Sequence, residues 1–153
     1  MDLSLLLTGL ACALALVGLG GAFYEFTVVD PFWPKRPDLI QPERGGISRR
    51  RFWIPAHTAF EIALIITLIV IWSAAEVRLW LLIALASHAA MRIWSFFDFI
   101  PKALAFETRD PQTISEDVAR SWTRRSILRL PLDLVTCFAM LAAFSFSVAP
   151  RLG

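Results

Sequence analysis

Charged residues are scarce in this chain of 153 residues: they make up 18% against 57% hydrophobic, where soluble domains carry roughly 25% charge and about 45–50% apolar residues. That shortage excludes an ordinary soluble domain and points to a membrane protein. Cysteine is nearly absent too. Cys12 and Cys137 both fall inside apolar runs, which excludes a disulfide framework or a cysteine metal knuckle and leaves them as small core residues. Gly9, Leu10 and Ala11 make only a poor lipoprotein cleavage box ahead of Cys12. No basic segment precedes the apolar run that starts at Leu3, so that run reads as a membrane span rather than a cleaved signal. A net charge of +2 without a basic stripe offers no nucleic-acid footprint, and internal repeats and low-complexity tracts are missing.

What remains is apolar sequence in long stretches. A helix needs about 20 apolar residues to cross the hydrocarbon core, and four windows meet that need: 3–23, 54–74, 77–97 and 126–147. The chain therefore predicts an all-α, polytopic membrane four-helix bundle, one membrane domain over 1–153. Only Ala75 and Glu76 separate the second and third windows, which predicts a tight antiparallel hairpin. The loop over 25–53 holds Pro31, Pro34, Pro37, Pro42, Gly45 and Gly46, a composition for extended or turned chain. Phe32, Trp33, Phe52 and Trp53 are expected at the headgroups as an aromatic belt. In the loop over 98–125, Thr113 to Glu116 reads as a capping box. A helix from near Ile114 then runs through the charged segment into the fourth span, with Pro131 as a bend.

Basic residues set the expected orientation. The first loop has Lys35, Arg36, Arg44, Arg49, Arg50 and Arg51, and the second has Lys102, Arg109, Arg120, Arg124 and Arg125. The other side has only Arg78 and Arg151, a ratio of eleven to two. Both loops are expected in the cytoplasm and both termini on the non-cytoplasmic side, in a bacterial inner membrane. Topology and anionic-lipid contact explain Arg49 to Arg51 without any site.

Ionisable groups inside spans are costly, which makes them functional candidates. Each of the last three spans carries one such pair at i, i+4 on a single face: His57 with Glu61, His88 with Arg92, and Arg129 with Asp133. From the 1.5 Å rise, His57 lies about 6 Å, Asp133 about 10 Å and Glu61 about 12 Å from the loop-side ends of their spans, while His88 is near the midplane. Tyr24 and Glu25 close the first span on that side, and Asp98 with Lys102 close the third. The expected arrangement is a polar cavity open toward the loops, walled by Trp and Phe, and sealed on the far side. Glu25, Asp98 and Lys102 also suit plain snorkelling, and Arg129 with Asp133 also reads as a helix-internal salt bridge.

The residues leave the chemistry open. His57, Glu61 and His88 are a ligand set for a divalent metal, and His57 with His88 could hold a haem, although no motif supports it. Without a cofactor, His57 and Glu61 form a general base, and His88 and Arg92 bind and polarise a substrate oxygen. Tyr24, Trp94, Asp98, Lys102, Arg129 and Asp133 complete the expected substrate wall.

Several of these residues carry a family likeness. Asp98, Pro101, Lys102 and Leu104 follow the third span; Trp122, Arg124 and Arg125 precede the fourth; Arg129 and Asp133 lie within it; and Gly18, Gly20, Gly21 and Phe23 end the first. This pattern resembles the small four-helix membrane proteins grouped with the anthrone oxygenases. It departs from them where asparagines are expected, at Asp98, Lys102 and Asp133, and the segment 52–57 resembles a subgroup. The resemblance implies oxygenation of a polycyclic phenolic carbon acid by molecular oxygen. Together these features predict an integral-membrane oxidoreductase or oxygenase for a hydrophobic aromatic or quinone-like molecule entering from the bilayer or the cytoplasm. The competing expectation is a non-catalytic carrier, small transporter or assembly subunit, in homo-oligomeric form, whose polar stripe serves packing or proton or ligand passage.

Overall fold

A computed structural model of the chain describes residues 3–148; Arg151, counted above for orientation, lies outside them. Six α-helices follow one another: α1 (Leu3–Tyr24), α2 (Arg50–Val70), α3 (Ala75–Trp94), α4 (Ile100–Thr108), α5 (Glu116–Ser126) and α6 (Leu130–Val148). Helical turns fuse them into four segments long and apolar enough to cross a membrane, Leu3–Val29, Arg50–Val70, Ala75–Thr108 and Glu116–Val148. The described residues contain no strand.

Helices long and apolar enough for all four expected spans are present, with shifted boundaries. Helix α2 starts and ends four residues before the 54–74 window, and the third segment runs on through residues assigned above to a loop. A π-helical turn at Ser95–Phe99 makes that continuation feasible. Pro101 lacks an N–H and crowds the carbonyl four residues back, and a widened turn relieves both problems. A second π-helical turn, Glu25–Val29, ends the first segment two residues before Pro31. The expected run from α5 into α6 holds, with a 3-10 turn at Ile127–Arg129 ahead of Pro131. The capping box does not form. Ser115 takes the N-cap position without a side-chain cap, and Thr113 Oγ1 donates instead to the Asp110 carbonyl at 2.8 Å.

Helix α6 packs between α1 and α3, and α1 also packs on α2. Small buried residues allow the close approach: Ala11 and Ala15 on α1, Ala84 on α3, Ala139 and Ala143 on α6. Helices α2 and α3 are joined by a short turn, yet their backbones stand apart along most of their lengths and meet through long side chains, Glu61 with Arg92 and His88, and Phe60 with His88. Only the turn of the expected tight hairpin is tight. The surfaces that α2 and α3 turn toward each other carry Glu61 and Arg92, long charged chains that hold helices apart where alanine would bring them together. The outer faces expose Leu6, Leu10, Leu16, Ile62, Ile65, Ile66, Ile69 and many other large apolar side chains, which fits a lipid solvent.

At the loop end the chain builds a second core. Trp33 and Ile40 of the first loop are fully buried with Phe99, Phe106, Ala119 and Trp122. The Trp33 ring lies 5.1 Å from Phe106 and 5.8 Å from Trp122, centroid to centroid. Gln41 Nε2 donates to the Phe106 and Arg109 carbonyls at 2.7 and 2.8 Å, tying the first loop to the end of α4. Gly46 has to be glycine, because a Cβ there would lie 2.2 Å from the Asp38 carbonyl oxygen. The first loop is thus a folded cap over the bundle, and Trp33 belongs to the cap's core and not to a headgroup belt. Phe32 and Phe52 are exposed as a belt requires, while Trp53 is half-buried.

Candidate functional site

Between the cap and the α1–α6 contact lies a cavity of about 410 Å³, with every wall supplied by this one chain. That volume falls in the roughly 300–1,000 Å³ range of small-molecule sites. Both π-helical turns contribute to it, Glu25 and Phe26 from one, Ser95 and Phe99 from the other. Helix α2 supplies Arg50, Trp53, Ile54, His57 and Thr58; α3 and α4 supply Met91, Arg92, Ile100, Leu104 and Glu107; α5, the 3-10 turn after it and α6 supply Trp122, Arg129 and Asp133.

Ion pairs and aromatic contacts fix the polar wall. Arg49, 7% exposed, donates from Nη1 to Glu25 Oε1 at 3.2 Å, and its guanidinium carbon lies 5.6 and 5.3 Å from the rings of Trp33 and Trp122. Arg129 donates from Nη1 to Ser95 Oγ at 2.9 Å and covers the Phe99 ring at 4.3 Å. It makes no ion pair with Asp133 among the described residues, so the helix-internal salt bridge is not formed. One turn back, Asp30 accepts from Trp33 Nε1 at 2.8 Å through Oδ1. Burial raises the Asp30 carboxyl to about 6, against the lowering effect of the Trp33 hydrogen bond.

Four residues of this wall hold buried polar atoms without a hydrogen-bond partner among the described residues: Asp30 Oδ2, Arg49 Nη2, Glu107 Oε2 and Trp122 Nε1. Glu107 Oε2 lies 3.0 Å from Arg50 Nε, close enough for charge attraction but outside hydrogen-bonding geometry. Each such atom costs about 1–3 kcal/mol. The residues that carry these atoms all border the cavity, while the atoms themselves are closed off from it in this arrangement.

The expected catalytic quartet divides into two groups. His57 lines the cavity, its ring stacked on Trp53 at 5.3 Å and 20°, with neither ring nitrogen hydrogen-bonded among the described residues. Glu61 does not line the cavity. Its Oε1 accepts from Arg92 Nε at 2.9 Å and lies 3.2 Å from His88 Nε2, so its partners are on α3 and not at His57. A small void of about 20 Å³ bordered by His57, His88 and Asp133 lies next to the main cavity, and the two imidazoles are 5.5 Å apart. No group of three His, Cys, Asp or Glu side chains among the described residues is placed to share a metal ion, and His88 Nε2, which a haem iron would compete for, faces Glu61.

The rest of the expected wall is mixed. Arg92, Arg129 and Asp133 line the cavity; Tyr24 is 56% exposed, and Trp94 packs on Phe99 at 5.5 Å, outside the cavity lining. Asp98 pairs with Lys102 and Arg125 at the surface and stands apart from the cavity. Sequence reasoning did not select Asp30, Ser95 or Glu107, and explained Glu25 and Arg49 by topology alone. The signal for Glu107 is its i, i+4 spacing from Ala103 and Phe99, visible once the helix is carried past Pro101. Asp30, alone in a loop, has no comparable signal. Comparison of the chain with protein-family models, with curated proteins and with solved structures finds no match.

Proposed function

We propose that this chain binds a hydrophobic, ring-bearing small molecule in the loop-side cavity and removes a proton from it. The observation that carries this reading is the cavity itself: about 410 Å³ with apolar walls, formed within one chain, with an unbonded His57 ring on one side and the Arg49, Arg129 and Asp30 wall among the others. An imidazole without a protein partner is free to accept a proton from a bound carbon or oxygen acid. The guanidinium of Arg129, held by Ser95 and Phe99, is fixed in place to stabilise the resulting oxyanion. Glu61, His88 and Arg92 act behind His57 as a charged anchor between α2 and α3.

The resemblance to anthrone oxygenases supplies a reaction. A doubly benzylic CH₂ across the central ring from the ketone carbonyl loses a proton to His57, and the electron-rich carbanion reduces dioxygen. The net change is CH₂ plus O₂ giving C=O plus H₂O. With the basic loops in the cytoplasm, the cavity lies in the inner half of the membrane. A carrier would use the same pocket, but it gives the unbonded His57 ring no task.

The test is oxygen uptake by the purified protein with a tricyclic phenolic ketone bearing such a CH₂. Stoichiometric uptake that falls at least tenfold in His57→Ala, with Arg129→Leu weakening it further than Arg120→Ala, is the expected result. Uptake no faster than in buffer, or unchanged in His57→Ala, contradicts the reading.

A further inference from the structure

The mouth of the cavity bears on what the ligand is and where it comes from. Ile54 on α2 and Ile100 and Leu104 on α4 line the cavity and are also 61%, 36% and 39% exposed. Thr58, one turn along from Ile54, does the same. Residues that line a cavity and face outward mark its opening. This opening lies on the side of the bundle, between α2 and the third segment, whose backbones stand apart and are bridged by the Glu61–Arg92 and Arg50–Glu107 ion pairs, and not at the end that the Trp33 cap covers. Arg50, on α2 one turn before Ile54, is also exposed and lines the cavity, its charge engaged by Glu107 at 3.0 Å. The rest of the opening and its surroundings are apolar, with Phe96 and Phe97, just before α4, 66% and 76% exposed. Of the unpartnered atoms, those of Asp30 and Trp122 belong to the turn after α1 and to α5, elements that do not form the mouth, while Arg49 takes the N-cap position of α2 and Glu107 lies near the end of α4, each past the apolar mouth residues of its helix.

A cavity with a largely apolar side opening and a polar wall beyond it sorts a ligand by its two ends. We infer that the ligand is a membrane-dissolved amphipath: its compact polar ring sits inside against the Arg49 and Asp30 wall, and its hydrocarbon tail leaves between Ile54 and Leu104 into the bilayer. A wholly water-soluble substrate has no reason to use an opening that faces lipid. Because the tail stays in lipid whether or not the ring is bound, tail length should hardly alter affinity when ligand is counted per lipid. This inference rests on the reading of the cavity as a small-molecule site.

The experiment uses the full chain in phosphatidylcholine vesicles and two photoreactive 1,4-naphthoquinones with a decyl tail. One carries a diazirine on the ring and the other at the tail end. The ring probe is expected to label the cavity wall saturably, in peptides holding Arg49 or Trp122, and the tail probe to label Phe96, Phe97 or Leu104. Ile54→Trp and Leu104→Trp, both at exposed positions, should each narrow the mouth and cut saturable ring labelling at least tenfold. Ring labelling of the wall with tail labelling on the first loop, or no effect of both Trp variants, overturns the side entry and leaves the pocket standing. Ring labelling that never saturates, spread over the outer faces, overturns the pocket reading and this inference with it.

Discussion

On the hairpin side of the bundle, buried polar groups are mainly hydroxyls that return to the backbone: Thr8 to the Ser4 carbonyl at 2.7 Å, Thr67 to Ala63 at 2.6 Å and Thr136 to Leu132 at 2.9 Å. Around them alanines, Cys12, Cys137, Leu81 and Met140 pack the helices closely. On the loop side the same four segments carry guanidinium, carboxylate, imidazole and indole groups, both π-helical turns and the large cavity. A threonine that bonds to its own helix needs nothing from a neighbour and takes little room, so helices close on one another. Arginine and glutamate need partners on other helices and room for long side chains, so the helices stand apart. Where the charges lie decides where the bundle opens.

That contrast can be broken from either side. The largest effect is expected in the cap. Trp33→Ala empties the centre of the loop-side core and should cost about 3–5 kcal/mol, read as a lower unfolding midpoint with loss of near-ultraviolet dichroism while much of the helical signal persists. A loss under about 1 kcal/mol would mean the cap adds nothing. Next is the buried carboxyl of Asp30, whose folded pKa of about 6 stands above its ordinary value of 3.8. The fold therefore favours the protonated form. The stability it adds is complete below about pH 4, falls as pH rises through 6 and is gone above it. Asp30→Asn keeps an acceptor for Trp33 and should remove that slope, on the order of 2–3 kcal/mol between pH 4 and 7 by chemical unfolding. An identical slope in wild type and variant would refute it.

The hairpin side should respond to bulk instead of charge. Ala139→Leu adds volume where α6 meets its neighbours and should cost about 1–3 kcal/mol with little dependence on pH, measured by the same unfolding curves. A neutral result would show slack packing there. The smallest effect belongs to the exposed α5 pair. Arg120→Ala removes the Arg120–Glu116 contact and should change stability by no more than about 0.5 kcal/mol.

The helices were legible because a bilayer demands about 20 apolar residues per crossing whatever the rest of the protein does. Their ends were not, since Pro101 reads as a stop until a π-helical turn takes up its missing hydrogen bond. The cap was hidden for a different reason: Trp33, Phe106 and Trp122 are far apart in sequence, and no period links them. At the site, His57, Arg92, Arg129 and Asp133 stood out because charge inside a span has few bland explanations. Glu25, Arg49 and Glu107 lie at span ends or beyond, where water contact explains a charge equally well. Pairing was the least legible part. One-dimensional spacing put His57 and Glu61 on one face but could not show that Glu61 reaches across to His88 and Arg92.

Thiol reactivity tests the division of the bundle most directly. Ala22 lines the large cavity, whereas Cys12 is buried in the hairpin-side core and Cys137, buried beside it, borders only the void of about 20 Å³, too small for a reagent. In folded Ala22→Cys, a small methanethiosulfonate reagent should modify one thiol, at position 22, and leave Cys12 and Cys137 untouched until denaturant is added. Reaction at Cys12 or Cys137 as fast as at position 22, or no reaction at position 22 in the folded protein, would contradict the account.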